Sequence, residues 1–217
     1  EGLVETADLR QALETTTGES LDWFFAQWLE RPGHPRLAVE WSHDPATSRL
    51  LVTIRQKQAL ADSGAIEADA VYRLPLILAW KSGGNTRRQA VDLTKAEERL
   101  VLACPTAPDW VVLDPDGDLL CAEIEECGPC ASLAARLNDA GLPAIARARA
   151  AQALGKIHPS PSAMDVLMAQ MADATPRVVL MELAKALAAM RIGPVVKRLA
   201  DAAAKLTDPR RKRLVAD

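Results

Sequence analysis

Short segments in which apolar residues alternate with polar or smaller ones run from residue 36 to residue 125. In the first of them Leu37, Val39 and Trp41 alternate with their neighbours, and residues 82–85 form a Gly- and Asn-rich turn. Alternation with a period of two is typical of strands that bury one face, and seven such strands at this spacing predict a β-sandwich. The predicted strands span residues 36–43, 49–56, 71–80, 86–93, 99–103, 110–113 and 119–125.

The first 30 residues predict two helices. Thr6 is a suitable N-cap for the first helix, which Gly18 ends, and Ser20 is a suitable N-cap for the second. The second helix carries a wide apolar stripe at spacings of three and four residues. Such a stripe needs a partner surface, so we expect it to be partly uncovered in this chain. Its members are Leu21, Phe24, Phe25, Trp28 and Leu29.

The last part of the chain has a different composition. From residue 131 onward it has no Phe, Trp or Tyr and is rich in Ala, which favours helix, so we place a domain boundary near Glu126. Asp139, Asp173 and Asp208 are each predicted to close a helical segment, at spacings of 34 and 35 residues. A helix-pair period of this length predicts an α-solenoid of the HEAT type. The predicted helices are 147–154, 177–190 and one from residue 210, with apolar stripes at 164–171 and 195–206 between them.

Composition and charge narrow the function classes. The chain has 217 residues with 26 basic and 29 acidic side chains, whereas a nucleic-acid-binding domain is usually strongly basic. No apolar run approaches the roughly 18 residues of a membrane span, and we expect no secretory leader. We therefore expect no nucleic-acid partner, no membrane association and a cytoplasmic location. Because both ends read as interior sequence, we also expect a piece of a longer protein.

A segment near the N-terminus carries a specific motif. Residues 21–29, Leu-Asp-Trp-Phe-Phe-Ala-Gln-Trp-Leu, and Pro-Gly-His-Pro at 32–35 resemble the end of the catalytic domain in the aminopeptidase N family of zinc metallopeptidases. Residues 110–117 resemble the last strands of that family's β-sandwich, and residues 149–155 resemble its first HEAT-like repeat. The resemblance covers the whole chain in order. It implies a multidomain β + α fold: the last helices of a thermolysin-like domain over 1–33, a seven-stranded β-sandwich over 34–126, and a partial HEAT-like α-solenoid over 127–217.

The resemblance also implies what the whole protein does. Family members remove N-terminal residues from peptides. They bind zinc through His-Glu-x-x-His and a downstream Glu, and a Glu acts as base for the zinc-bound water. Neither His-Glu-x-x-His nor the Gly-x-Met-Glu-Asn-type strand with which the family orients substrate occurs in this chain. Its three histidines lie far apart, at positions 34, 43 and 158. We therefore predict no catalytic, cofactor-binding or metal-binding residue here and no activity for the chain alone, with zinc held elsewhere in the parent enzyme.

The resemblance further implies partners. In the parent this region shapes a chamber that admits peptide substrates, while Phe24, Phe25 and Trp28 pack on the rest of the catalytic domain. Where that cover is missing, we expect these side chains to favour self-association, because bare apolar patches bind one another. A first alternative function is a non-catalytic protein-interaction platform of the same family, since HEAT-like arrays bind partners along a concave face.

The four cysteines supply a second alternative. Cys127-Gly-Pro-Cys130 lies between a predicted strand and a predicted helix, as in thioredoxin-like redox sites. Together with Cys104 and Cys121, the pair has the ligand number of a zinc site. Only helices follow the motif, however, and one close pair with two single cysteines matches no zinc ribbon. The simpler interpretation is an interdomain turn whose thiols stay reduced.

Overall fold

The chain, described here from a computed structural model, has a mixed α/β fold. Its described residues contain eight α-helices and two open β-sheets, neither of which closes into a barrel. All seven strands that the alternation predicts are present, although several begin or end a few residues away from the expected position. The structure describes residues 4–59, 70–120, 123–157, 160–172, 174–190 and 195–216.

The strands form one sheet of four and one sheet of three. The larger has the order β5-β2-β1-β7 and the smaller the order β4-β3-β6; only β1 and β7 pair in parallel. The predicted strand at 71–80 starts too early, because side chains rather than a neighbouring strand hold the backbone before Leu74. The bounds are β1 (Arg36–Asp44), β2 (Arg49–Gln56), β3 (Leu74–Ser82), β4 (Asn85–Leu93), β5 (Glu97–Ala103), β6 (Trp110–Leu113) and β7 (Glu123–Cys127).

Both sheets contribute side chains to one apolar core. Inward positions on β1 and β2 meet inward positions on β3, β4 and β6, as the alternation predicts. Burying a side chain of this size contributes about 1.5–3 kcal/mol relative to leaving it exposed, so this cluster holds the two sheets together. Its buried strand residues are Leu37, Val39, Leu50, Val52, Ile54, Leu74, Leu76, Leu78, Trp80, Val91, Leu93, Val111 and Leu113.

The C-terminal part consists of helices packed against one another. Helix α4 packs mainly on α6 and α3; α6, α7 and α8 contact one another, and α5 makes smaller contacts with α3, α4 and α6. A Cβ on Gly155 of α4 would lie 2.7 Å from the Cβ of Ala186 in α6, so these two helices approach too closely for a larger residue. The bounds are α3 (Cys130–Asn138), α4 (Ala144–Ile157), α5 (Pro161–Ala169), α6 (Arg177–Ala189), α7 (Val195–Lys205) and α8 (Pro209–Ala216).

The predicted aspartate repeat is only partly correct. Asp139 is the C-cap of α3, as expected. Asp208, in contrast, begins a helix rather than ending one, because its carboxylate accepts a hydrogen bond from the backbone N of Arg210 in α8, at 2.8 Å. Asp173 lies outside the described residues. Among the helices in the described ranges, none is long and apolar enough to cross a lipid bilayer.

The N-terminal helices differ in detail from the prediction. Helix α1 (Thr6–Thr17) has Glu5, not Thr6, as its N-cap, and it ends at Gly18 in the left-handed conformation, φ 73°. Helix α2 (Asp22–Phe25) has Leu21, not Ser20, as its N-cap. A π-helix (Ala26–Glu30) continues α2 directly, so the expected single α-helix changes its geometry halfway.

Candidate functional site

Two glutamines bond the backbone just before β3, Gln27 from the N-terminal helical segment and Gln56 from β2. The Gln27 side chain donates to the backbone O of Arg73 at 3.1 Å and accepts from the backbone N of Arg73 at 2.7 Å. The Gln56 side chain makes the same pair of bonds with Tyr72, at 2.7 and 2.8 Å. Each side-chain amide thus bonds the backbone as a neighbouring strand would. Gln27, in the centre of the family-like motif, is therefore a structural clamp.

The π-helix explains how Gln27 reaches this position. The backbone N of Arg31 donates to the O of Ala26, five residues back, at 3.1 Å. This wider turn shifts every following side chain relative to an α-helix, and such π-segments are frequent at functional sites. Gln27 is buried as a result, with only 9% of its surface exposed.

An aromatic and cationic stack reinforces the same junction. The rings of Trp28 and Tyr72 lie 5.6 Å apart between centroids, and the guanidinium of Arg31 lies 4.0 Å from the centroid of the Tyr72 ring. A second cation–π contact places Arg73 4.6 Å from the centroid of Trp23. Each such contact is worth about 0.5–2 kcal/mol, depending on exposure. The π-helix is therefore firmly attached to the strand-rich part of the chain.

The three side chains predicted to pack on a partner have different environments. Phe25 is buried and Trp28 packs partly against the core shared by the sheets. Phe24 is 41% exposed and Leu29 is 61% exposed. Helix α1 buries none of its residues. The exposed N-terminal side chains, a name used below for this set, are Val4, Leu9, Leu13, Phe24 and Leu29.

Arginines from the helical part bind the free edge of β6. The Arg136 guanidinium donates to the O of Val111 at 3.4 Å, and Arg149 donates to the O of Leu113 at 3.0 Å. Arg136 also forms a close ion pair with Glu126 at the end of the strand region, and only 1% and 7% of the two side chains are exposed. Burial lowers the pKa of the Arg136 guanidinium, and the Glu126 carboxylate acts in the opposite direction.

Asp139, at the end of α3, makes a second connection between the helices and the three-stranded sheet. Its carboxylate accepts from Lys81 Nζ at 2.8 Å and from Trp110 Nε1 at 3.0 Å, and it also accepts from the backbone N of Gly141 at 3.0 Å. Burial alone raises the pKa of Asp139, but the hydrogen bonds from Lys81 and Trp110 outweigh it and hold that pKa below its ordinary value. The hydrogen bond to Asp139 correspondingly raises the pKa of Lys81.

The structure does not bring the four cysteines together. Cys104 follows β5 and Cys127 ends β7, which are the opposite edges of the four-stranded sheet. Three strand spacings separate them, about 14 Å, whereas two sulfurs on one zinc ion lie within about 4.6 Å of each other. The prediction of one site formed by all four is therefore wrong. Cys121 lies outside the described residues, and these contain no group of three or more His, Cys, Asp or Glu that could hold a metal.

The Cys127–Cys130 pair lacks the features of a reactive dithiol. The chain is extended at Pro129 (φ −57°, ψ 144°), and α3 starts only at Cys130, so the helix N-terminus does not stabilise a Cys127 thiolate. Burial raises the pKa of the Cys127 thiol, and the carboxylates of Glu125 and Glu40 act in the same direction. The three cysteines in the described ranges are all free.

The histidines remain separate in the structure. His43, at the end of the first predicted strand, lies in β1, where its Nε2 is 2.8 Å from the backbone O of Cys104. His34 is exposed in the segment before β1. His158 lies outside the described residues.

The fold is similar to part of a solved aminopeptidase. The crystal structure of Legionella pneumophila aminopeptidase A in complex with aspartic acid matches 98% of this chain, with a TM-score of 0.59 and 17% sequence identity. The match covers 24% of that enzyme's chain, so the present chain spans about a quarter of its length. At this identity the likeness shows an aminopeptidase-like fold. No protein-family model matches the sequence, and neither does any curated protein.

Proposed function

We propose that this chain is the non-catalytic C-terminal region of a zinc aminopeptidase, a parent enzyme that removes N-terminal residues from peptides. The observation that carries the proposal is the fold likeness, which extends over 98% of this chain but only 24% of the aminopeptidase. In this proposal residues 1–33 end the catalytic domain, residues 34–126 are the sandwich, and residues 127–217 are a partial HEAT-like solenoid. The region shapes the substrate chamber.

The residues of this chain do not fit a catalytic zinc ion. Such an ion needs two histidines on one helix face and a carboxylate ligand. The chain has no His-Glu-x-x-His, and the His43 ring already contacts a backbone carbonyl. Zinc is therefore expected in the parent enzyme, outside these residues.

The exposed N-terminal side chains support docking against the rest of a catalytic domain. Phe24 on α2 and Leu29 on the π-helix that continues it are both exposed, and Gln27 clamps the π-helix to the strand region. A rigid apolar surface of this kind is suited to burial in a permanent interface. The same surface also suits the alternative function, a non-catalytic interaction platform, which shares the fold but not the zinc motif of the parent.

We also propose a cytoplasmic location. Cys104, Cys127 and Cys130 are free thiols in the structure, and free cysteines without a disulfide framework are usual in reducing compartments.

The test is a comparison of the 217-residue chain with the product of its complete natural reading frame. Zinc content and turnover of aminoacyl reporters are measured for both. We expect about one zinc per molecule and turnover for the complete product, and neither for the chain alone. A complete product with these residues but no zinc and no turnover would favour the platform, and a reading frame of only 217 residues would overturn the proposal.

A matched pair of variants in the complete product tests the docking surface. The change of Phe24 and Leu29 to Ser is expected to lower the melting temperature of the catalytic domain by several degrees, because an interface loses apolar area. The control is the same change at Leu51 and Val101, an exposed cross-strand pair on the outer sheet face. It is expected to leave the melting temperature of the catalytic domain unchanged. Equal effects of both variants would contradict the docking role.

A further inference from the structure

A small cavity lies beside the buried ion pair at the joint between β7 and α3. Glu126 and Arg136 line it, together with Trp41, Cys127 and Ser132. The space open to the centre of a water molecule is about 10 Å³. A cavity needs about 10–15 Å³ by this measure to hold one water, so the space matches a single water and nothing larger.

The polar atoms around this cavity are incompletely bonded by the described protein. Arg136 Nη1 reaches the O of Val111. Glu126 Oε2 contacts Arg136 Nη2 in the ion pair, whereas the other carboxylate oxygen, Oε1, and Arg136 Nε lack a hydrogen-bond partner among the described residues. Leaving such buried groups unbonded costs about 1–3 kcal/mol each, and more when they are charged.

The chemistry of the pair selects the ligand. Glu126 and Arg136 are together neutral, so an ion in the cavity would add a buried charge without compensation. The unbonded atoms comprise donors on Arg136 and acceptors on Glu126, so the ligand must both accept and donate. We propose that this cavity binds one ordered water molecule, which accepts from Arg136 Nε and donates to a Glu126 carboxylate oxygen.

This water makes the joint a hydrated ion pair. Glu126 belongs to the four-stranded sheet and Arg136 to the first helix of the helical part, so the water connects the two parts of the fold. Buried waters with about three hydrogen bonds are retained as part of the structure. This water site does not depend on the proposed peptidase role.

Magnetic relaxation dispersion of deuterium and oxygen-17 tests the proposal on the 217-residue chain, because it counts waters with long residence times. The change of Glu126 to Leu together with Arg136 to Met fills the site with apolar groups of similar size. We expect this variant to hold one long-lived water fewer than the unchanged chain. The control replaces the partly exposed pair Arg55 and Glu97 by Met and Leu, and its count is expected to stay the same. An unchanged count in the first variant, or an equal loss in the control, would overturn the proposal.

A second measurement needs no variant and covers the case in which the double change prevents folding. In the chain labelled with nitrogen-15 arginine, the Arg136 Nε–H is expected to show a nuclear Overhauser effect to a water that stays bound longer than about a nanosecond. The absence of this contact on an assigned Arg136 resonance would refute the water site.

Discussion

At the scale of single residues, glutamine side chains take the place of strand pairing. Gln56 could have been found from the sequence, because it follows Leu50, Val52 and Ile54 at the inward phase of the β2 alternation, where an apolar residue is expected. A polar residue at that phase indicates a buried hydrogen-bonding role. The burial of Gln27 could not be predicted in this way, because it depends on a π-turn that the hydrophobic pattern does not indicate.

The change Gln27→Ala is expected to destabilise the chain by about 2 kcal/mol. It leaves the backbone N and O of Arg73 without their partners in a partly buried setting, at a cost of about 1–3 kcal/mol for each unsatisfied group. Urea unfolding followed by tryptophan fluorescence measures the difference. Gln89→Ala, at an exposed position on β4, is the control and should change the free energy of unfolding by less than about 0.5 kcal/mol. Equal losses would show that Gln27 is not a clamp.

The change Asp139→Asn is expected to remove part of the acid sensitivity of the chain. The pKa of Asp139 is lowered in the folded state, so its stabilising effect is present above the unfolded value of about 3.8 and is lost as pH falls through the folded value. The unchanged chain should therefore lose stability below about pH 4 more steeply than the variant. Melting temperatures from pH 2 to 7 measure this. Asp92→Asn, in an exposed ion pair, is the control, and parallel curves for the chain and Asp139→Asn would contradict the prediction.

The stability from Lys81 is expected to show the opposite dependence on pH. Its folded pKa is raised above 10.5, so its contribution is present below that value and is lost as pH rises through the folded value. The change Lys81→Met should therefore flatten the loss of stability above about pH 10.5, as measured by urea unfolding. An unchanged slope in that window would be evidence against the pairing with Asp139.

At the scale of elements, the π-helix is the feature that the sequence did not reveal. The apolar stripe of the second helix assumes 3.6 residues per turn, and it predicts Leu29 on the same face as Phe25. The wider π-turn breaks that relation, so Phe25 is buried while Leu29 is mostly exposed. Hydrophobic spacing identifies a helix, but it does not show where the helix widens to a π-turn. Here the buried residue of the π-turn is Gln27, which is polar and so adds nothing to the hydrophobic pattern.

Deletion of Ala26 tests the π-helix as an element. The shorter chain returns to α-helical spacing and rotates Gln27 and Trp28 away from their contacts by about a quarter turn. We expect a loss of at least about 2 kcal/mol in stability and faster hydrogen exchange at the Arg73 amide. Ala26→Ser keeps the length and is the control, because Ala26 is exposed. Unaltered exchange after the deletion would contradict the assigned geometry.

At the scale of the whole molecule, the order of strands and helices could be predicted from the sequence. The side-chain contacts that attach the C-terminal helices to the sheets could not. Alternation and helical periodicity predict each element from its own residues. These contacts use Arg136, Asp139 and Arg149, whose partners lie 10 to 58 residues away along the chain. Arg136 does lie beside Leu133 and Leu137 on the buried face of α3, and that position is the one signal that indicated its burial. The domain boundary at residue 126 stays a prediction.

The exposed N-terminal side chains are expected to make the chain self-associate. Replacing Phe24 and Leu29 by Ser should weaken the association about thirtyfold or more, because the two changes together remove roughly 2 kcal/mol or more of apolar burial. Sedimentation velocity over a range of concentrations measures it. The variant with Ser at Leu51 and Val101 is the control. A monomer at all concentrations, or equal weakening in both variants, would exclude this surface as the contact.

The arginine-bound edge of β6 has a consequence for how this fold can be inherited. Free strand edges pair with other chains, and proteins that expose them tend to aggregate. Here the groups that occupy the edge, Arg136 and Arg149, are encoded after the strands, on α3 and α4. A gene rearrangement that carried the strands to a new protein without these helices would therefore expose an unpaired, aggregation-prone strand edge. We therefore expect the sheets and the helices of this chain to be inherited together, as one unit.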